Sequence, residues 1–367
     1  MKICTIVVAL ILIIVGETIA HDHEDDHVHE DYRSELYQTL FTNSSYDKSF
    51  LPHHDETHYV NISLELQVLR KLNLFESTMQ MNVWRTLIYK DERLTWNPAE
   101  FGGIHRFHVS STIIWVPDIT IWNSPPDENP SMDNSEAILY PDGTIYQVVQ
   151  MFVDASCAFD ISNFPYDSHN CSLVFGSWTN DNSRIVLGTT SEVVGLSHYT
   201  KNPMWDVAES SVQKHSVVYP CCEEVYEDVT FYLHIKRLQS HGRIGTAVIS
   251  AWLILAVFLM QPSRGGERII FSGFVFVSLV VISAALSAEV PSYSTTRLGR
   301  FLLAGMLITC IVIVINAIIY RFYPTEQQGA TKAQSSFSAP RVFFLFDVAV
   351  GLIAFVVLTI ATGALFS

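Results

Sequence analysis

Four stretches of twenty residues, 244–263, 269–288, 301–320 and 348–367, contain no Asp, Glu, Lys or Arg. About twenty apolar residues is the length at which a helix crosses the hydrocarbon core of a bilayer. A helix on the surface of a globular protein keeps a polar face, which these stretches lack. The expectation is therefore four transmembrane helices. Charged residues make up 16% of the chain, well below the ~25% of soluble domains, and the shortfall argues against an ordinary cytosolic enzyme.

The rest of the chain has the opposite character. Residues 243–367 carry a net charge of +4, whereas residues 1–242 carry −19 and all 14 histidines. Such an acidic half does not suit a nucleic-acid partner, which needs a basic face. It reads as an exposed domain on a membrane domain. Residues 1–20 have the layout of a secretory signal peptide: Met1-Lys2, the apolar run Ile3–Val15, and small residues at Thr18 and Ala20. That places residues 31–242 outside the cell as a mature domain, preceded by an acidic His-rich tail at 21–30. Loop charges agree with this orientation, with Arg264, Arg268, Arg321, Lys332 and Arg341 inside against Arg297 and Arg300 outside. A short inner loop, 321–341, follows the third span. Sequons at Asn43, Asn61 and Asn170 all fall on the exposed side, where N-glycosylation is expected.

Cysteine usage fits an oxidising compartment. Cys4 lies in the leader and Cys310 in a span, which leaves Cys157, Cys171, Cys221 and Cys222. An even number there suggests disulfides. Cys221 and Cys222 are always within reach of each other, and pairing them leaves Cys157–Cys171 to close a loop of 13 intervening residues. The alternative, a thiolate metal site, lacks CxxC spacing. His23-Glu24-Asp25-Asp26-His27 fits the HExxH expression of zinc proteases. That chemistry needs a packed helix to aim both imidazoles, and this segment has no apolar face, so it reads as a solvated tail. Weak Zn²⁺ or Cu²⁺ binding by His21, His23, His27 and His29 is the alternative. No cofactor is implied.

Tyr32–Phe41 has the spacing of one short amphipathic helix. Beyond it come alternating runs at Tyr59–Val68, Gln80–Tyr89, Ser110–Trp115, Ile145–Phe152, Cys171–Trp178, Ser216–Tyr219 and Asp228–Leu238. Turn signals separate them, among them Asn97-Pro98, Gly102-Gly103, Pro125-Pro126 and Pro141-Asp142-Gly143. Many short strands at this spacing predict an all-β sandwich.

Cys157-Ala-Phe-Asp-Ile-Ser-Asn-Phe-Pro-Tyr-Asp-Ser-His-Asn-Cys171 resembles the signature loop of the Cys-loop, pentameric ligand-gated ion channels. Trp115-Val-Pro-Asp118, Gly176-Ser-Trp178-Thr179, Tyr219-Pro-Cys221-Cys222 and Asp228-Val-Thr resemble nicotinic acetylcholine receptor motifs in the same order. The resemblance implies an extracellular β-sandwich followed by a four-helix transmembrane bundle in the plasma membrane. It also implies a homo- or hetero-pentamer and a small cationic agonist, acetylcholine or a related amine. A quaternary ammonium donates no hydrogen bond, so its site is built from aromatic faces. By resemblance, the principal face maps onto Trp122, Trp178, Tyr219 and Tyr226, with a Cys221–Cys222 disulfide at the tip of a closing loop. The complementary face maps onto Trp84, with Ile138, Tyr146 and Val148 more loosely. Trp115, Pro117 and Asp118 read as turn and packing residues; Trp96 and Trp205 carry no functional claim.

Glu267, in Gly266-Glu267-Arg268, resembles the acidic ring at the inner mouth of cation-selective relatives, and the lining positions that follow are Ile270, Phe274, Val277 and Val281. Relatives usually place Thr or Ser at the first two, and rings of Ile and Phe would dewet an inner pore. Three more departures concern coupling. Val174 replaces the family's lysine, which leaves Asp228 without its expected charge partner. The usual proline of the first span is replaced near Thr246, and the inner loop is short. Arg237 matches the coupling arginine, with Glu76 as its expected partner. Two functions follow: a ligand-gated cation channel subunit, or a receptor-like subunit that does not conduct and acts through assembly partners, signalling or trafficking. An enzyme is a much weaker reading, for no nucleophile elbow or phosphate loop appears.

Overall fold

In a computed structural model of the chain, the described residues are 31–52, 56–124, 135–220, 223–238, 241–322 and 339–366. The expected signal peptide, the acidic tail and Cys221–Cys222 lie outside them, as does most of the inner loop. Helix α1 covers 31–37 and continues as a wider turn through Gln38–Asn43, burying Leu36 and Leu40. Ten strands follow: β1 His58–Asn73, β2 Thr78–Lys90, β3 Phe107–Ser110, β4 Ile119–Ile121, β5 Glu136–Leu139, β6 Thr144–Ser156, β7 Ser168–Ser177, β8 Ile185–Thr189, β9 Trp205–Val218 and β10 Val225–Arg237.

They form a six-stranded sheet in the order β3-β5-β6-β2-β1-β8 and a four-stranded sheet in the order β4-β7-β10-β9. All neighbours are antiparallel except β1 and β8. Side chains alternate along a strand, so each long strand gives one row to the core and one to the outside. Val60, Ile62, Leu64 and Leu66 of β1 are buried against Val229, Phe231, Leu233 and Ile235 of β10 in one core. The odd member is Arg85 of β2. Its side chain lies inside the sandwich, Nη1 donates to the Ile119 carbonyl, and burial pulls its pKa down to about 10.

Two segments differ from the expected strands. At Ser110–Trp115 the strand ends at Ser110, whose hydroxyl accepts from the Thr112 amide and starts a 3-10 turn over Ser111–Ile113. The short run at Ser216–Tyr219 is the end of the fourteen-residue β9.

The apolar stretches form helices α2 (His241–Trp252), α3 (Gly265–Ser287), α4 (Arg297–Phe322) and α5 (Ala339–Phe366), with α2 continuing as a 3-10 segment over Leu253–Leu259. By length and hydropathy four candidate spans result, Gly242–Leu259, Gly265–Ser287, Arg297–Phe322 and Val342–Phe366. A second core holds these helices together, and Phe164 of the 157–171 loop belongs to it, with Ile161, Tyr166 and Leu74 packed alongside. The start of α4 donates backbone hydrogen bonds to the same loop, Arg297 to the Ser162 carbonyl and Leu298 to that of Phe164. The sandwich and the bundle therefore meet through this loop.

Candidate functional site

The four-stranded sheet carries the first group of candidate residues on its outward face. Trp122 follows β4, Tyr219 follows β9 and Tyr226 opens β10. Trp122 and Tyr219 meet edge to face with centroids 6.2 Å apart, and Tyr219 meets Tyr226 in the same way at 5.9 Å. Trp122 lies directly over Gly176 of β7: a Cβ there would sit 2.0 Å from the indole. Only glycine lets that ring lie flat against the sheet. Two residues further along the same side of the strand stands Trp178, 70% exposed. Its loop is fixed by Asp118, which accepts from the Ser177 hydroxyl (2.6 Å), the Thr179 amide (2.8 Å), the Thr179 hydroxyl (2.6 Å) and the Asn180 amide group (3.0 Å). The expected turn role of Asp118 thus has a definite object, the presentation of Trp178. Trp115 is buried as expected, its amide donating to the Tyr46 hydroxyl.

Cys221 and Cys222 are outside the described residues. Asp228, buried on β10, lies behind Tyr219. Burial, and after it the Asp228 carboxylate, raise the Tyr219 phenol above its ordinary pKa and keep it neutral. Val174, opposite Thr230, offers Asp228 no charge, and the carboxylate is hydrogen-bonded from elsewhere. His215, directly opposite on β9, donates from Nδ1 to Asp228 at 2.9 Å, and the Thr230 hydroxyl donates at 2.7 Å. The sequence held no sign of this, because the lysine of relatives sits on β7 and this histidine on the other flanking strand.

The second half lies on the other sheet. Trp84 projects outward from β2, its ring 5.2 Å from that of His198. Across the ladder Trp84 is opposite Gln150, Thr86 is opposite Val148, Ile88 is opposite Tyr146, and Tyr146 is opposite Ile138. Trp84, Ile138, Tyr146 and Val148 therefore share one outward face of the six-stranded sheet. The sandwich core separates them from Trp122, Trp178, Tyr219 and Tyr226. One chain thus carries the two sets of candidate residues on opposite faces of its sandwich.

The coupling residues also differ from expectation. Arg237 does not pair with Glu76, which accepts from Asn73 three residues away. Its partner is Asp167, bound through Nε (2.6 Å) and Nη2 (3.0 Å), while its guanidinium lies 4.1 Å from the Trp205 ring and 5.0 Å from that of Phe164. Trp205 thus packs its ring against the Arg237 guanidinium. His169 donates to the second Asp167 oxygen at 2.8 Å. Burial alone would raise the Asp167 carboxyl, but the His169 and Arg237 hydrogen bonds outweigh it and hold the group below the usual carboxylate range. Cys157 and Cys171 are disulfide-bonded at the base of this loop.

On α3, Ile270, Phe274, Val277 and Val281 form one stripe, each more than half exposed, with Glu267 at its start. Arg264 lies 3.5 Å from Glu267. Arg268 is fully buried and binds both oxygens of Asp347 on α5, at 2.8 and 2.9 Å. Of the sequon residues, Asn43 is exposed at the end of the first helix, Asn61 is half-buried on β1 over Gly188, and Asn170 is exposed on β7. Among the described residues no group of three or more His, Cys, Asp or Glu could hold a metal ion.

Residues 33–239, more than half of the chain, match the sequence model of the neurotransmitter-gated ion-channel ligand-binding domain. The chain is 31% identical over 296 residues to the neuronal acetylcholine receptor subunit alpha-6 of Rattus norvegicus, covering 79% of this chain and 59% of that protein. It is 32% identical over 291 residues to subunit alpha-3 of Carassius auratus, covering 77% and 56%. With subunit alpha-2 of Mus musculus it shares 31% over 304 residues, covering 81% and 58%. The chain thus spans somewhat less than 60% of the length of these curated relatives. With the ligand-binding domain, the closed 157–171 loop and four candidate spans in order, it belongs to the neurotransmitter-gated, Cys-loop ion-channel family as a nicotinic acetylcholine receptor-like subunit.

Proposed function

We propose that the chain is one subunit of a pentameric, plasma-membrane cation channel gated by acetylcholine or a related small amine. The observation that carries this reading is the division of the aromatic residues into two half-sites on opposite faces of one sandwich. In a head-to-tail ring the principal face of one copy meets the complementary face of the next, so the interface is heterologous and closes on itself. The agonist cation lies between Trp122, Trp178, Tyr219 and Tyr226 of one subunit and Trp84, Ile138, Tyr146 and Val148 of its neighbour, held by aromatic quadrupoles. A disulfide between Cys221 and Cys222 stiffens the tip of the loop that closes over it. Closure favours a state that binds agonist more tightly. Movement of β10 reaches the helices through Arg237, Asp167 and Phe164. Glu267 forms the inner acidic ring.

A second reading is favoured by the α3 stripe, which offers a pore only apolar rings at Ile270, Phe274, Val277 and Val281. On it the subunit binds ligand without conducting by itself. Whole-cell current on acetylcholine and choline, in cells expressing this chain alone and with surface labelling alongside, separates the two. Inward current abolished by Trp178→Ala supports the channel. Surface protein without current supports the second reading, and Ile270→Thr with Phe274→Ser then restores current if the apolar rings are the block.

A further inference from the structure

Leu64 and Leu66 are buried on either side of Glu65, as are Val83 and Arg85 on either side of Trp84. Glu65 and Trp84 therefore both project away from the core. The register sets them directly opposite each other on β1 and β2, with Gln150 of β6 opposite Trp84 on its other side. The connection from β8 to β9 runs along the edge of β1 that β8 leaves free, where Gly195 bridges to Glu65 and Thr200 to Val68. The Gly195 amide donates to the Leu64 carbonyl, the Leu66 amide to that of Gly195, and the Thr200 amide to that of Gln67. Glycine at 195 makes room for the Glu65 carboxylate, since a Cβ there would stand 2.1 Å from Oε2. His198 follows three residues on. Its backbone amide (3.2 Å) and its Nδ1 (3.3 Å) both donate to Oε1 of Glu65, and its ring lies 5.2 Å from that of Trp84.

An ionised carboxylate only accepts, so the Glu65 contact fixes the proton of a neutral His198 on Nδ1 and leaves Nε2 as an acceptor. Nε2 makes no hydrogen bond among the described residues, and the His198 side chain is 62% exposed. The flank of Trp84 thus carries an acceptor backed by a negative charge, beside an aromatic face that attracts any cation. A quaternary ammonium presents only C–H groups to that acceptor. A protonated primary, secondary or tertiary amine presents an N–H and gains a charge-assisted hydrogen bond. We infer that His198, oriented by Glu65, gives the site its choice of ligand: an ammonium that still carries an N–H is taken ahead of a quaternary one. This rests on the reading that Trp84 belongs to the complementary half of an agonist site, and it names the ligand class within that reading. Ile138 and Val148, assigned to the same half, have no side-chain acceptor with which to make that choice.

The test compares acetylcholine with its tertiary analogue, 2-(dimethylamino)ethyl acetate, by titration calorimetry on the purified full-length chain. The buffer is held at about pH 7.5, where imidazole is chiefly neutral. The two cations differ by one methyl group, which the analogue replaces with N–H. The analogue should bind about tenfold more tightly than acetylcholine. His198→Phe keeps a ring against Trp84 and removes the acceptor, so the ratio of affinities should fall to about one; His198→Ala should lower it in the same way. Glu65→Gln, which keeps an oxygen to hold His198, should weaken both ligands and leave the analogue ahead. Acetylcholine binding as tightly as the analogue to the unaltered chain overturns the inference and leaves the agonist site standing. So does a preference that neither His198→Phe nor His198→Ala reduces. Binding of neither ligand overturns the agonist-site reading and this inference together.

Discussion

In the ectodomain and in the helical bundle, Arg237–Asp167 and Arg268–Asp347 each set an arginine against a buried aspartate, and these two pairs are supported very differently. At the foot of the sandwich, Arg237 binds both oxygens of Asp167, stacks on Trp205 and Phe164, and shares its carboxylate with His169. In the bundle, Arg268 binds Asp347 through Nη2 and the Val257 carbonyl through Nε, while its Nη1 has no partner among the described residues. The first pair joins the 157–171 loop to β10; the second joins α3, the pore-lining candidate, to α5. An ion pair removed from water is stabilising only when its remaining donors and acceptors are satisfied. The ectodomain pair, with two aromatic rings and a histidine around it, is the better supported and suits the transmitting role proposed above. The bundle pair is instead a costly latch between two helices.

The largest effect is expected where the pair is least supported. Asp347→Ala strands a fully buried guanidinium, at a cost of about 3–5 kcal/mol. Surface biotinylation should show the chain nearly absent from the membrane, and Arg268→Met combined with Asp347→Leu should restore it. Failure of the double variant to recover would show that the pair does more than hold α5. Next comes Asp167→Ala, which leaves both Arg237 and His169 facing an empty acceptor. The ectodomain should lose about 3 kcal/mol, measured by denaturant unfolding, whereas Glu76→Ala should cost less than about 0.5 kcal/mol. Equal losses would return Glu76 to the role that the spacing first suggested.

Much of this was readable in advance. The rows Val60–Leu66 and Val229–Ile235 alternate so strictly that both long strands and their buried faces follow from the sequence. β9 was legible only at its end because it is an edge strand paired with β10 alone, and its run Ala208–His215 carries few apolar side chains to mark a buried face. β4, β5 and β8 have three to five residues and leave little periodicity to read. The candidate aromatic residues were legible as candidates, Trp178 and Tyr219 through their motifs and the others through their place relative to those motifs. Their supports were not: Gly176 under Trp122, His215 beside Asp228 and Asp167 beside Arg237 depend on register between strands far apart in the chain, which no local pattern carries.

A smaller effect tests the packing of the principal half-site. Gly176→Ala puts a methyl into the Trp122 ring and should cost about 1–3 kcal/mol of strain or displacement. The expected readout is weaker agonist binding with surface expression retained, and unchanged binding would mean that the ring has room to move. The smallest is a pH effect. The Asp167 carboxyl is depressed in the folded chain, so its contribution is complete above its ordinary pKa, near ~4, and is lost as pH falls through the lower folded value. Thermal unfolding of the ectodomain should show a step of acid destabilisation below about pH 4 that is absent in Asp167→Asn. A step persisting in that variant would assign it to another carboxylate.

The central claim is that one chain supplies two halves of a site that only neighbouring copies complete. The most direct measurement is acetylcholine binding at the surface of cells expressing Trp178→Ala, Trp84→Ala, or both chains together, with surface amounts matched. Each variant alone should bind little. Random mixing pairs an intact principal face with an intact complementary face at about a quarter of the interfaces, so the mixture should recover binding to about that fraction. A mixture that binds no better than either variant alone would contradict the account.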